Sequence, residues 1–322
     1  MKPVTYKLKA ACFIAVLTAP LLFSSALSAE ELQPSWAGGR TFVVGFAQDT
    51  MSNDWRASQV NAVKEALAKY PYIRFVYTDA KGSTAQQVLD IENLVEQGID
   101  LLITSPRDGK SMTPVISSVY KKRIPVMLLT RQIEGDDFTI FLGADDHKIG
   151  AQVAERIAER LHKKGRVVMV TGVPTATTAI KRTEGFFEAL KAYPEIKVVA
   201  KRNGNYLRGN AIMAMDELLN EGVMFDAIYA QSDSMAVGIR MALKKNGINP
   251  KSVPIVGIDY ISEAREAIRS GEQDATFIYP TCGPEAEEYI LKILKGEQTP
   301  KYVDIPSQMI TIENVEQLAP IF

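Results

Sequence analysis

Residues 65–75 read EALAKYPYIRF, and residues 188–198 read EALKAYPEIKV. Each stretch closes a helical pattern, breaks it at Tyr-Pro and opens an alternating β-rich run. The echo continues in the same order in each half. LVEQGIDLLITS (94–105) is answered by LLNEGVMFDAIYAQS (218–232), and RIPVMLLTR (123–131) by SVPIVGIDY (252–260). One βαβ scheme used twice predicts an α/β protein of two similar, doubly wound parallel-sheet domains. Two like domains facing each other make a cleft, and function is sought there.

The chain has 322 residues, enough for two domains. Its 46% apolar and 23% charged content is that of a globular protein. Lys2, Lys7 and Lys9 precede an apolar stretch at 10–27, and Ser28 and Ala29 precede Glu30 and Glu31. This three-part pattern predicts a secretory signal peptide cleaved near Ala29, with Ser28 as the alternative, and hence a periplasmic protein. The formal charge is −1, or −4 without the three leader lysines (34 − 38), and no basic run occurs, which argues against nucleic-acid binding. Past the leader only Cys282 remains, so no internal disulfide is expected; the residue is either a small buried apolar group or a reactive thiol. His147 and His162 have no metal-ligand spacing, so neither a metal nor a cofactor is expected.

The expected strands are 41–47, 72–77, 99–104, 125–130, 138–142, 166–171, 197–201, 227–230, 255–258 and 275–279. The expected helices are 55–70, 83–97, 112–122, 148–163, 179–192, 208–221, 234–245, 262–270 and 284–295, with the first domain crossover at 144–147. Open parallel sheets bind ligands beyond the carboxyl ends of their strands. Those positions carry Gln48 and Asp49, Arg131, Asp145 and Asp146, residues 172–178, Tyr206, Ser232 and Asp233, Asp259, and Tyr279, with Trp55 nearby. Polar groups beside aromatic faces suit a neutral, hydroxylated small molecule. Each candidate has a structural alternative. Trp55 either stacks on a ligand or fills core; Arg131 is either a clamp or a surface ion-pair partner. Asp233 either binds ligand or caps the helix that follows it, Asp259 binds ligand, caps the helix starting around Ile261 or does both together, and Arg182 faces either the cleft or solvent. Enzyme motifs are missing: no G-x-G-x-x-G follows the first strand, Gly109-Lys110-Ser111 lacks the first glycine of a phosphate loop, and no G-x-S-x-G elbow occurs.

Taken together and in order, VVGFAQ (43–48) followed by DWR (54–56), IPVMLLTR (124–131), AIKRTEGF (179–186), YAQSDSMAVG (229–238) and IVGID (255–259) resemble the periplasmic sugar-binding proteins of ABC importers. The group includes ribose-, galactose- and galactofuranose-binding proteins and shares its core with the ligand domains of LacI-type repressors. The resemblance covers about 41–306. It implies a monomeric clamp with a three-segment hinge, one lobe from 41–144 plus 280–306 and the other from 145–279 plus 307–322, closing on its ligand and then docking on an ABC permease. It carries binding roles onto Trp55, Arg56, Arg131, Arg182, Tyr206, Asp233 and Asp259; Gln48, Ser232 and Tyr279 complete the candidate set. The departures bear on the ligand. Thr130 stands where the family usually has Asp, Ser232 where it has Asn, Tyr279 where it has Gln, and Ile180 where some members have Arg. A lost acceptor and added methyl or phenol surface suggest, within the class of sugars, deoxy sugars and polyols, a ligand less hydroxylated than free ribose or glucose: a deoxy sugar, a substituted polyol or a small furanone-like signal. The competing reading is a periplasmic subunit that signals to a membrane histidine kinase. A repressor is excluded because the leader occupies the place of a DNA-binding helix pair.

Overall fold

The structure, a computed structural model, describes residues 33–322; the expected signal peptide at 1–29 lies outside the described residues. Its centre is β1 (Phe42–Gln48), buried along almost its whole length as a strand covered on both faces must be. The pleat sends Val44 and Phe46 into a core shared with α1 (Asp54–Leu67) and α9 (Gly283–Leu294). Ala47 faces the opposite core, with α2 (Thr84–Glu96) and α3 (Gly109–Lys121). Around β1 stand β2 (Ile73–Asp79), β3 (Leu101–Ser105), β4 (Val126–Leu129), β5 (Ile140–Gly143) and β11 (Tyr302–Asp304). The order is β2-β1-β3-β4-β5-β11, all parallel.

The second sheet repeats the scheme with β6 (Lys164–Thr171), β7 (Glu195–Asn203), β8 (Ala227–Ala230) and β9 (Ile255–Val256), ordered β7-β6-β8-β9. Single parallel bridges, Val256 to Ala275 and Asp259 to Ile278, attach the next segment. That segment contains β10 (Thr276–Phe277), which pairs antiparallel with β12 (Met309–Ile310). On one face lie α4 (Asp146–Arg160) and α5 (Thr177–Leu190); on the other lie α6 (Arg208–Asn220) and α7 (Asp233–Lys245). α8 (Ser262–Ser270) follows β9. Both sheets therefore place their first strand between their second and third, and each has its switch point there. α4 and α5 cross closely because Gly150 and Gly185 have no Cβ: a methyl at either would overlap the carbonyl of Arg182 or His147.

The chain passes between the two sheets three times, after Gly143, after Phe277 and after Asp304. The short strands β11 and β12 and the 3-10 turns Ser35–Ala37 and Pro250–Ser252 were not anticipated from the sequence. The expected strand at 255–258 stops at Val256, because the backbone soon turns to positive φ at Asp259 (132°) and Tyr260 (64°). The facing lobes are closed on each other. Asn53 Nδ2 donates to the Tyr206 carbonyl at 2.7 Å, Gln132 N to Thr177 Oγ1 at 2.9 Å and Lys181 Nζ to Gln132 Oε1 at 2.5 Å. At the rim, Arg208 reaches Asp54 of α1 at 2.9 Å.

Candidate functional site

The carboxyl ends of β1, β3 and β4 face those of β6, β8 and β9 across a gap of about 280 Å³ outside protein atoms. Nine residues line it: Asn53, Trp55, Arg56, Thr178, Arg182, Tyr206, Ser232, Asp259 and Tyr279.

The first lobe's wall is set by the start of α1. Asn53 caps the helix, its Oδ1 accepting from Arg56 N at 2.9 Å. That start turns Trp55 and Arg56 into the gap. The Arg56 guanidinium lies 4.9 Å over the Trp55 ring, and Nη1 donates to Ser105 Oγ (2.7 Å), Gln59 Oε1 (3.1 Å) and Thr130 Oγ1 (3.3 Å). Trp55 Nε1 donates to the Tyr279 carbonyl at 3.2 Å, with ring centroids 5.3 Å apart. Behind this wall Asp49 gathers three arginines: Arg131 at 2.8 Å, and Arg56 and Arg107 at 3.7 Å each. Burial would raise the Asp49 carboxyl, but Arg131, Arg56 and Arg107 together hold it below its ordinary value. Burial and the nearby Arg131 bring Arg56 down to about 10, so it remains a cation at neutral pH.

The second lobe's wall is built on α5. Arg182 Nε donates to Asp146 Oδ1 at 2.7 Å and Nη1 to the Gln231 carbonyl at 2.6 Å, and its guanidinium lies 4.4 Å from the Tyr279 ring. Tyr279 OH donates to Asp146 Oδ2 at 3.0 Å, so both oxygens of that carboxylate are engaged. Burial opposes the charge on Arg182, but Asp146 and its neighbours keep it well above its usual value. Tyr206 OH and Thr178 Oγ1 share a hydrogen bond of 3.0 Å, and Ser232 Oγ caps α7 at Met235 N. Asp259 differs from all of these. Its carboxylate accepts from no side chain among the described residues, and the neighbouring Asp233 amide donates to the Ile258 carbonyl at 2.6 Å. Burial pushes its carboxyl well above the ordinary range, against the pull of Arg182 and Arg56.

Seven of the ten sequence candidates meet at this cavity: Trp55, Arg56, Arg182, Tyr206, Ser232, Asp259 and Tyr279. Three do not line it. Gln48 braces α1 from beneath, its Nε2 donating to Gln59 Oε1 at 3.2 Å and its Oε1 accepting from Asp49 N at 3.0 Å. Arg131 is neither a surface residue nor part of the lining; it is 1% exposed and spends its charge on Asp49, 5.8 Å behind the Tyr206 ring. Asp233 caps no helix. Its carboxylate turns under the sheet to accept from Tyr260 N, Thr276 Oγ1 and Gln273 Nε2 at 2.6–2.7 Å. Asn53 and Thr178 also line the cavity and were not among the ten candidates, although Thr178 falls in the strand-end stretch 172–178. Ile180 points to solvent, 41% exposed. Cys282 is buried in the crossing before α9, its Sγ 3.5 Å from the Pro280 carbonyl, and burial raises its thiol well above the usual value. Among the described residues no group of three or more His, Cys, Asp or Glu could hold a metal ion.

Tyr206 is laid flat on Gly172, where an added Cβ would overlap the phenol ring. Gly172→Ala is expected to push the ring into the cavity at a cost of about 1–3 kcal/mol, the usual scale of overpacking. Ligand affinity should then fall roughly tenfold or more by calorimetry; unchanged affinity would show that the ring moves freely.

Residues 44–290 match the family profile described as a periplasmic binding protein domain. The xylitol-binding protein of Mycolicibacterium smegmatis is 33% identical over 65% of this chain, which spans 59% of that protein. The ribose import binding protein RbsB of Bacillus subtilis is 28% identical over 92% of this chain and 97% of its own length. Among solved structures, the fructose-binding periplasmic domain of a hybrid two-component system superposes with a TM-score of 0.82 at 32% identity. The match covers 86% of this chain and 92% of that one.

Proposed function

The chain belongs to the periplasmic binding protein family, and from that premise we propose that it captures a small uncharged sugar, deoxy sugar or polyol by closing its two lobes and delivers it to an ABC permease. The single observation that carries this reading is the buried Asp259 carboxylate, unpartnered by any side chain among the described residues and bordering the cavity between the lobes. A buried acceptor in that position is stabilised by hydroxyls that a guest brings with it.

The charge count supports a neutral guest. Arg56, Arg131, Arg182 and Arg240 stand against Asp49, Asp146, Asp233 and Asp259, four of each sign, all nearly fully buried. A charged ligand would leave one buried charge unbalanced, which is costly. Trp55 and Tyr279 offer rings on which C–H surface can rest. Nothing in the lining pairs a nucleophile with a base: Ser232 Oγ serves α7, and neither histidine borders the cavity. We therefore read the protein as a receptor that makes and breaks no bond, working in the periplasm as a monomer once the leader is removed. The three crossings act as the hinge, near 144, 280 and 306. Gln48, Arg131 and Asp233 serve this site by holding its walls rather than by touching the guest.

Calorimetry of the mature chain with neutral pentoses, hexoses, deoxy sugars and polyols tests the reading. At least one should bind at micromolar concentration or below, with no turnover. Binding confined to anions, cations or peptides would refute it. A second reading, a sensor subunit that signals to a membrane histidine kinase, is favoured by the likeness to a periplasmic domain of a hybrid two-component system. Ligand-dependent association with a purified permease or with a kinase decides between the two.

A further inference from the structure

The cavity lining carries two guanidinium groups, Arg56 and Arg182, but one carboxylate, Asp259. Asp146 is filled by Arg182 and Tyr279, and Asp233 by Tyr260 N, Thr276 and Gln273. Asp49 lies behind the wall and outside the lining. Asp259 is therefore the one carboxylate left for a guest, and its two oxygens accept a pair of adjacent hydroxyls. On the donor side, Arg56 spends Nη1 on Gln59, Ser105 and Thr130, and Arg182 spends Nε and Nη1 on Asp146 and Gln231. Nη2 of each makes no hydrogen bond among the described residues, and both side chains border the cavity. The hydroxyls of Ser232, Thr178 and Tyr206 can act either way, but each already holds one bond inside the protein. Trp55 and Tyr279 fill the remaining wall with ring surface, and the Trp55 N–H is already committed.

Building on the capture reading above, we propose that the guest presents one vicinal diol to Asp259 and otherwise meets the site with acceptor oxygens or C–H surface. Its class is a deoxy, anhydro or O-alkyl sugar rather than a fully hydroxylated pentose, hexose or polyol. The diol bridges the two carboxylate oxygens. A ring ether, carbonyl or ether oxygen accepts from Arg56 and Arg182 Nη2. A deoxygenated edge lies on the aromatic faces of Trp55 and Tyr279. A further hydroxyl would find as acceptors only the side-chain hydroxyls of Ser232, Thr178 and Tyr206, each already holding one bond, and a poorly matched buried donor weakens binding. An added hydroxyl in an apolar subsite is rejected by up to about 100-fold.

Matched pairs on the mature chain test this by calorimetry: 1,4-anhydroerythritol against erythritol, 2-deoxy-D-ribose against D-ribose, and methyl β-D-ribofuranoside against D-ribose. The expected result is that the member with fewer donors binds about tenfold or more tightly in at least one pair, and that the fuller polyol is tighter in none. Equal or tighter binding of the hydroxylated members overturns the inference and leaves sugar capture standing. Binding by no member of any pair, with heat evolved only by charged solutes, overturns both.

Discussion

Replacing Asp259 by Asn is expected to weaken guest binding at least about 100-fold while leaving the empty protein as stable as before, or more so. A carboxylate accepting from two hydroxyls makes two charge-assisted bonds, each contributing about 1.5–3 kcal/mol. The amide keeps the shape, and asparagine tolerates positive φ better than most residues. One of its two atoms is a donor, so the diol loses a partner and meets a clash of hydrogens. In the empty protein the change replaces a buried carboxyl that has no side-chain partner among the described residues. Burial raises the Asp259 carboxyl in the folded state, so its contribution to stability is fully present below the unfolded value and is lost as pH rises through the folded one. The Asn variant has no such loss. A guest that donates to the carboxylate favours its ionised form, so binding releases a proton and affinity climbs with pH up to the raised value. Calorimetry across a pH series should show that climb in the wild type and a flat profile in the variant. Undiminished affinity in the variant would remove Asp259 from the site.

Asp49→Asn should produce the largest loss of stability in the molecule. Asp49 is the common counter-charge of Arg131, Arg56 and Arg107, and it and the first two are almost fully buried. Asparagine is isosteric, so no cavity forms; what remains is two buried guanidinium groups without an anion. Stranding one partner of a buried pair costs about 3–5 kcal/mol. Urea unfolding should register a loss of that size at neutral pH. Asp49 is held below its ordinary value, so its contribution is present above the unfolded value and disappears as pH falls through the folded one; the gap between variant and wild type should close in acid. Guest affinity should fall with it, because Arg56 loses the anion that steadies it. A loss below about 1 kcal/mol would mean that water reaches this cluster.

The internal echo made the architecture readable, because each sheet is a row of apolar runs too short for helices and separated by helical periodicity. The order of strands within a sheet is another matter. Nothing local in β11 or β12 marks them, since Tyr302–Asp304 and Met309–Ile310 are held by partners far away in the chain. The same limit shows in the cavity. Strand-end positions brought Ser232 and Asp233 forward together, but the first turn of α7 rotates them apart, one to the gap and the other under the sheet. Arg131 looked like a clamp because its partner, Asp49, sits at the end of a different strand. Asn53 caps α1 through Oδ1, and only the folded chain shows that its other atom reaches Tyr206 across the gap. Local chemistry is written in neighbours along the chain, while the use of each polar group is decided by neighbours in space.

β11 also sets the order in which the molecule can be finished. Tyr302 lies beside Phe141, so the first sheet borrows its outermost strand from near the opposite end of the polypeptide. Until that late segment arrives, β5 shows a bare row of amides and carbonyls, the kind of border to which a stray strand can attach. Pairings this distant form slowly. A growing polypeptide can thus complete neither half in isolation, and both halves mature together when the final stretch comes home.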